Sequence, residues 1–182
     1  CAATIKRYPD LIVGVKTAHY WTKEPWDAEH VPWAAVDRAI ECATLANVPV
    51  MYDFWPRPER TYEDLLKKMR PGDIHTHVFA QQFPIILADG KINPALAEAR
   101  ARGVIFDVGH GAGSFWFRNA VPAMKQGFIP DSFSTDLHVG EHDDRDDVDV
   151  GAREHLAIVV VSLRDAIALG GSARGVLVRG AQ

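Results

Sequence analysis

Residues 71–77 read Pro71-Gly72-Asp73-Ile74-His75-Thr76-His77, and the fold follows from what lies on either side. Pro71-Gly72 stops a helix that begins near Thr61, where Thr61 and Asp64 form an N-cap pair ahead of Leu65, Leu66 and Met69. Asp73 to His77 then forms a short strand. Upstream, Leu11 to Lys16 is a β-branched run ending in a lysine, and Val48 to Asp53 is a second ending in an aspartate. Between them Trp33, Val36, Ile40 and Ala43 recur at helical spacing and predict a helix from about Pro32 to Leu45. Downstream, Asn93-Pro94 opens a helix that Gly103 closes. Val104 to Val108 is a strand, Asn119 to Gln126 a short helix closed by Gly127, and Ser132 to Asp136 a fifth strand. Strand then helix, repeated and followed by a fifth strand, predicts parallel βαβ units.

The 182 residues suffice for a sizeable core, with 47% hydrophobic and 24% charged residues. A formal net charge of −4 argues against a nucleic-acid partner. No apolar run approaches the ~20 residues of a membrane span, and residues 1–10 hold no signal peptide. A small-molecule substrate and a cytoplasmic location are therefore expected. Two cysteines, Cys1 and Cys42, are too few for a disulfide framework. The chain starts at Cys1 rather than at a methionine, so it is expected to be part of something longer.

Lys16, Asp53, His77, His110 and Asp136 each stand at or just past the C-terminal end of an expected strand. In a (β/α)8 barrel those ends converge on one mouth; in a doubly wound sheet they line a crevice. Asp, His and a second Asp suit a divalent cation such as Zn, Mn or Fe. Lys16 has two readings. It forms an ion pair with Asp53 or Asp136, or it reacts with carbon dioxide to give a carbamate able to bridge two metals. His75 reads as a neighbour of the site rather than a ligand. His110, flanked by Gly109, Gly111 and Gly113, is either a substrate-facing residue or an incidental one on a glycine turn. The acidic run from Asp143 to Asp149 lacks the glycine and glutamate spacing of an EF-hand and reads as a solvated loop. Trp21, Trp26, Trp55, Phe115, Trp116 and Phe117 either face an apolar acyl group or pack under long loops. A flavodoxin-like module would need a glycine loop after the first strand, and Lys16-Thr17-Ala18-His19 is not one.

Gly14-Val15-Lys16, residues 72–79 (Gly-Asp-Ile-His-Thr-His-Val-Phe), residues 106–111 (Phe-Asp-Val-Gly-His-Gly) and residues 134–138 (Ser-Thr-Asp-Leu-His) together resemble the amidohydrolase superfamily. More narrowly, they are similar to its deacetylase-like, dihydroorotase-related metallohydrolases. The resemblance covers about Ala3 to His138. It implies an α/β fold of the (β/α)8 TIM-barrel type, of which this chain holds the C-terminal part, about strands four to eight. It also implies one or two divalent metal ions, usually zinc. Carried over motif by motif, Lys16 becomes the carboxylated bridging lysine and His77 a ligand of the second metal. Asp136 becomes both metal ligand and proton shuttle, and His110 and His138 fall on the substrate side. Where many relatives end the fifth strand with a ligand histidine, this chain has Asp53, which can still bind through oxygen.

The superfamily's first strand carries a His-x-His pair, and only 15 residues precede Lys16, so strands one to three are expected to be missing. The resemblance also ends after His138, which divides the chain into a barrel portion at 1–140 and a divergent tail at 141–182. The implied function is hydrolysis of an amide or ester through metal-activated water. The alternative is an inactive barrel fragment that only binds metal, or that associates through its open edges into a homo-oligomer.

Overall fold

The computed structural model describes residues 1–17, 31–111, 113–135 and 161–162. The five expected strands are present, each shorter than its apolar run: β1 (Val15–Thr17), β2 (Val50–Tyr52), β3 (Ile74–His75), β4 (Ile105–Phe106) and β5 (Ser132–Phe133). Helices α2 (Ala34–Ala46), α3 (Tyr62–Lys68), α4 (Pro94–Ala101) and α5 (Phe117–Lys125) fall between successive strands. A short α1 (Ala2–Arg7), not expected from the sequence, rests on α2 with Ile5 buried. A two-residue strand, β6 (Val161–Ser162), runs antiparallel to β5.

The first four strands pair in parallel in chain order, Val15 beside Val50, Met51 beside Ile74, and Ile74 beside Ile105. The fifth extends the series. Asp107 bridges Ser132 in parallel, and His110 N–H donates to the Ser134 carbonyl at 2.8 Å. Strand order identical to chain order is the winding of a (β/α) barrel, since a doubly wound sheet reverses direction at a switch point.

The helix starts follow their capping chemistry. The Thr61 hydroxyl accepts from Asp64 N–H at 3.2 Å, and the Asn93 side chain accepts from Ala95 N–H at 3.0 Å ahead of Pro94. The strand from Leu11 is corrected to Val15–Thr17 because pairing starts only where Val15 N–H meets the Pro49 carbonyl at 3.0 Å. Without a strand partner among the described residues, Leu11 and Val13 lie 74% and 75% exposed.

The pleat sorts the strand residues into two faces. Thr17, Tyr52, His75 and Phe106 are buried on the side carrying α3 and α4, against Tyr62, Leu65, Leu96 and Ala99. Lys16, Met51, Ile74 and Ile105 occupy the opposite face, where Lys16 is exposed and the other three are half-buried. The expectation that Lys16 stands at the strand's end changes here: it is the middle residue of β1, and it is exposed. Among the described residues β1 pairs on one side only. No described helix is long and apolar enough to cross a membrane.

Candidate metal centre

Asp53 follows the last residue of β2, and its N–H continues the ladder to the Thr17 carbonyl at 3.3 Å. Alternation puts Asp53 on the same face as Met51 and Lys16. His77 stands two residues past β3, and by alternation alone it would follow His75 to the helix side. Instead its φ is +57°, in the left-handed region that a histidine enters at a cost of roughly 1–2 kcal/mol. That bend reverses its direction. His77 Nε2 lies 3.9 Å from Asp53 Oδ2, and Nδ1 is 2.8 Å from the Gly109 carbonyl oxygen. A carbonyl can only accept, so Nδ1 carries a proton and donates it, which leaves Nε2 as the nitrogen that faces Asp53. The side chain is only 5% exposed.

Gly109 makes this approach possible. It has φ +51°, and a Cβ added there would meet Thr76 Oγ1 and would lie 2.6 Å from His77 Nδ1. Beneath it sits Asp107, fully buried, on the same sheet face as Lys16 and Asp53. Its carboxylate accepts three hydroxyl bonds, from Thr76 at 2.8 Å, Ser132 at 2.7 Å and Ser134 at 2.6 Å. The sequence reading gave Asp107 no role. Its one visible signal is Ser132-x-Ser134, two hydroxyls two residues apart that must share a face.

His75 is the non-ligand the sequence reading expected. It packs among Tyr62, Phe83 and Phe106, with ring centroids 5.4, 4.7 and 5.7 Å away. Burial pushes its pKa down to about 4, so the ring is neutral at neutral pH. His75 and His77 do not share a face, because β3 ends at His75.

His110 is exposed, its ring tilted beside Phe115 at 5.6 Å and Phe133 at 6.2 Å. Asp136, His138, Trp21, Trp26, the acidic run and all of the 141–182 tail except Val161–Ser162 lie outside the described residues. Asp53 and His77 are thus brought together, with Lys16 on the same face of the neighbouring strand. Among the described residues no three His, Cys, Asp or Glu side chains gather as a metal-binding group. The donor chemistry of the pair nonetheless fits a divalent ion: a carboxylate faces an imidazole whose other nitrogen donates to a backbone carbonyl, the arrangement metal-ligating histidines usually show.

Parallel strands wound in chain order, with Asp53 and His77 past the C-terminal ends of two of them, define part of a (β/α)8 barrel, the fold whose mouth lies at those ends. No family model matches the chain. A deacetylase of Brucella anthropi and one of Agrobacterium fabrum are each 34% identical over 97 residues, 53% of this chain and 24% of theirs. A deacetylase of Enterococcus faecalis is 30% identical over 145 residues, 74% of this chain and 36% of its own length. Among solved structures, an adenine deaminase superposes with a TM-score of 0.65 at 28% identity, covering 76% of this chain and 37% of that one. A dihydroorotase does so at 0.57 and 28%, covering 75% and 36%. The chain belongs to the amidohydrolase superfamily, beside its deacetylases and dihydroorotase-related enzymes. It spans from about a quarter to about a third of the length of the curated relatives it matches.

Proposed function

We propose that this chain contributes Lys16, Asp53, His77 and Asp136 to the metal centre of a hydrolase that cleaves an amide or ester of an acylated small molecule. The observation that carries the reading is His77: a strained backbone turns its Nε2 toward Asp53 while its other nitrogen is fixed on the Gly109 carbonyl. A site of nitrogen and oxygen donors suits zinc, as one ion or two. When bound, the metal acidifies a water and polarises the scissile carbonyl.

Around that ion the chain's residues divide the work. Asp53 and His77 would hold it, and Lys16 would join them as an N6-carboxylate, an oxygen ligand that its ammonium form could not be. Asp136 takes a proton from the attacking water on a carboxylate oxygen and returns it to the leaving group. His110 and His138 orient the substrate, and the rings of Phe115 and Phe133 beside His110 suit an apolar acyl group. The deacetylase names of the relatives support acyl removal as the reaction.

Activity of the protein with and without a chelator tests the reading, and indifference to chelation would remove it. Lys16→Ala is expected to lose metal and activity together, with partial rescue by short carboxylic acids. Full metal content in that variant would rule out the carbamate. A second reading, association of this chain through its open edge without turnover, is favoured by the exposure of Leu11 and Val13 beside β1. Light scattering and an acyl-hydrolysis assay on the purified 182-residue chain decide it. A monomer with full turnover would overturn it.

A further inference from the structure

Every bond of Asp107 runs to the segments that carry the candidate ligands. Its N–H donates to the His75 carbonyl at 2.8 Å, and its own carbonyl accepts from Val78 N–H at 3.1 Å, so its backbone brackets Thr76 and His77. Its carboxylate holds the Thr76 hydroxyl, one residue before His77, and the hydroxyls of Ser132 and Ser134 on the neighbouring strand. Ser134 stands two residues before Asp136. Among the described residues no Lys, Arg or His forms a salt bridge with Asp107. A carboxylate buried with neutral donors alone is an expensive way to hold strands together, because an apolar side chain of similar volume would do so without desolvating a charge. The fold alone therefore gives no reason for an acid here, whereas a site that must hold two strand ends at fixed positions does.

We propose that Asp107 is a positioning residue. Through three hydroxyls it clamps the C-terminal ends of β3 and β5 onto β4, holds His77 in its left-handed bend with Nε2 toward Asp53, and fixes the strand that leads to Asp136. This rests on the metal-centre reading of His77. Thr76 is the lever, since its side chain is bound to Asp107 while its N–H donates to the Tyr52 carbonyl at 3.3 Å. If the lever slips, the bend at His77 keeps only the bonds on its far side, from Val78 N–H to the Asp107 carbonyl at 3.1 Å and from Ala80 N–H to the His77 carbonyl at 2.8 Å.

Two measurements test the clamp, one of them without metal. In the metal-free intact protein, nitrogen NMR of His77 should show one tautomer, protonated at Nδ1 and slow to exchange. Asp107→Ala, and the gentler Thr76→Val in case the first fails to fold, should lose that single tautomer; Thr76→Ser, which keeps the hydroxyl, should retain it. Cobalt titration followed by its visible spectrum should then show affinity weakened roughly 10- to 100-fold in Asp107→Ala and Thr76→Val, and near wild type in Thr76→Ser. A folded Thr76→Val protein with unchanged tautomer and unchanged cobalt affinity overturns the proposal, even if its melting temperature drops. Should His77→Ala leave cobalt binding intact, the metal reading of His77 fails and the tautomer measurement alone decides the clamp.

Discussion

Two buried aspartates sit at opposite ends of the same sheet, and they are held in different ways. Asp73, at the N-terminal end of β3, is paired with the Arg70 guanidinium at 2.8 Å. It also accepts from the backbone N–H of Val50 and of Arg70, both at 2.9 Å, and from the Tyr52 hydroxyl at 3.1 Å. Burial, with Asp73 adding to it, pushes the Tyr52 phenol far above its ordinary range, so Tyr52 stays a donor. Asp107, at the C-terminal end of β4, has three hydroxyls and, among the described residues, no cation. The first aspartate is compensated locally and closes the bottom of the sheet. The second is compensated, among the described residues, by neutral groups and lies beneath the candidate ligands. In barrels the bottom serves stability and the top serves chemistry, and here the contrast appears in how each acid is partnered.

If that division holds, the largest stability loss should come from Asp73. Asp73→Ala leaves Arg70 without its carboxylate, holding only Thr44 and the Val48 carbonyl, and orphans two backbone N–H groups. Breaking a buried pair costs about 3–5 kcal/mol, and Arg70's partial exposure puts this one toward the lower end. Urea denaturation should register the loss while the cobalt affinity of the folded protein stays unchanged. A weakened metal site in that variant would erase the distinction between the two ends. Gly109→Ala comes next. The new methyl group needs room occupied by Thr76 and His77, at a φ that disfavours alanine, for a cost of about 1–3 kcal/mol. Unlike the first variant, it should move His77 and lose metal affinity along with stability.

The order of elements was legible because apolar runs and caps report it locally: Thr61, Asn93-Pro94 and Gly103 each mark a real helix boundary. Strand lengths were not, because a strand exists only where a neighbour pairs with it, and the neighbour of Leu11 to Val13 cannot be read from those residues. Asp53 and His77 were legible as candidates by their position after strand ends. Their meeting was not, because it depends on a positive φ at His77 that nothing in the histidine announces. Asp107 was the least legible of all, since its partners lie 31, 25 and 27 residues away and converge only through strand register.

The smallest effect belongs to the histidine on the other face, and it sharpens the comparison most. His75 and His77 are two residues apart, yet His75 faces the helices and His77 faces Asp53. His75 donates Nδ1–H to the Thr76 carbonyl at 2.8 Å, while its Nε2 is buried without a hydrogen-bond partner among the described residues. Replacing it with phenylalanine removes one modest bond, worth about 1 kcal/mol, and also removes a buried polar atom that gains nothing from its surroundings. The ring site is already aromatic on three sides, so a phenyl group fits the same slot. The two terms oppose each other, and His75→Phe should lie within about 1 kcal/mol of wild type in urea denaturation. Cobalt affinity and the His77 tautomer should not move. Loss of metal binding in a stable His75→Phe protein would mean that the helix-covered face takes part in the site after all, and the two faces of the sheet would no longer be separable by the direction in which their side chains point.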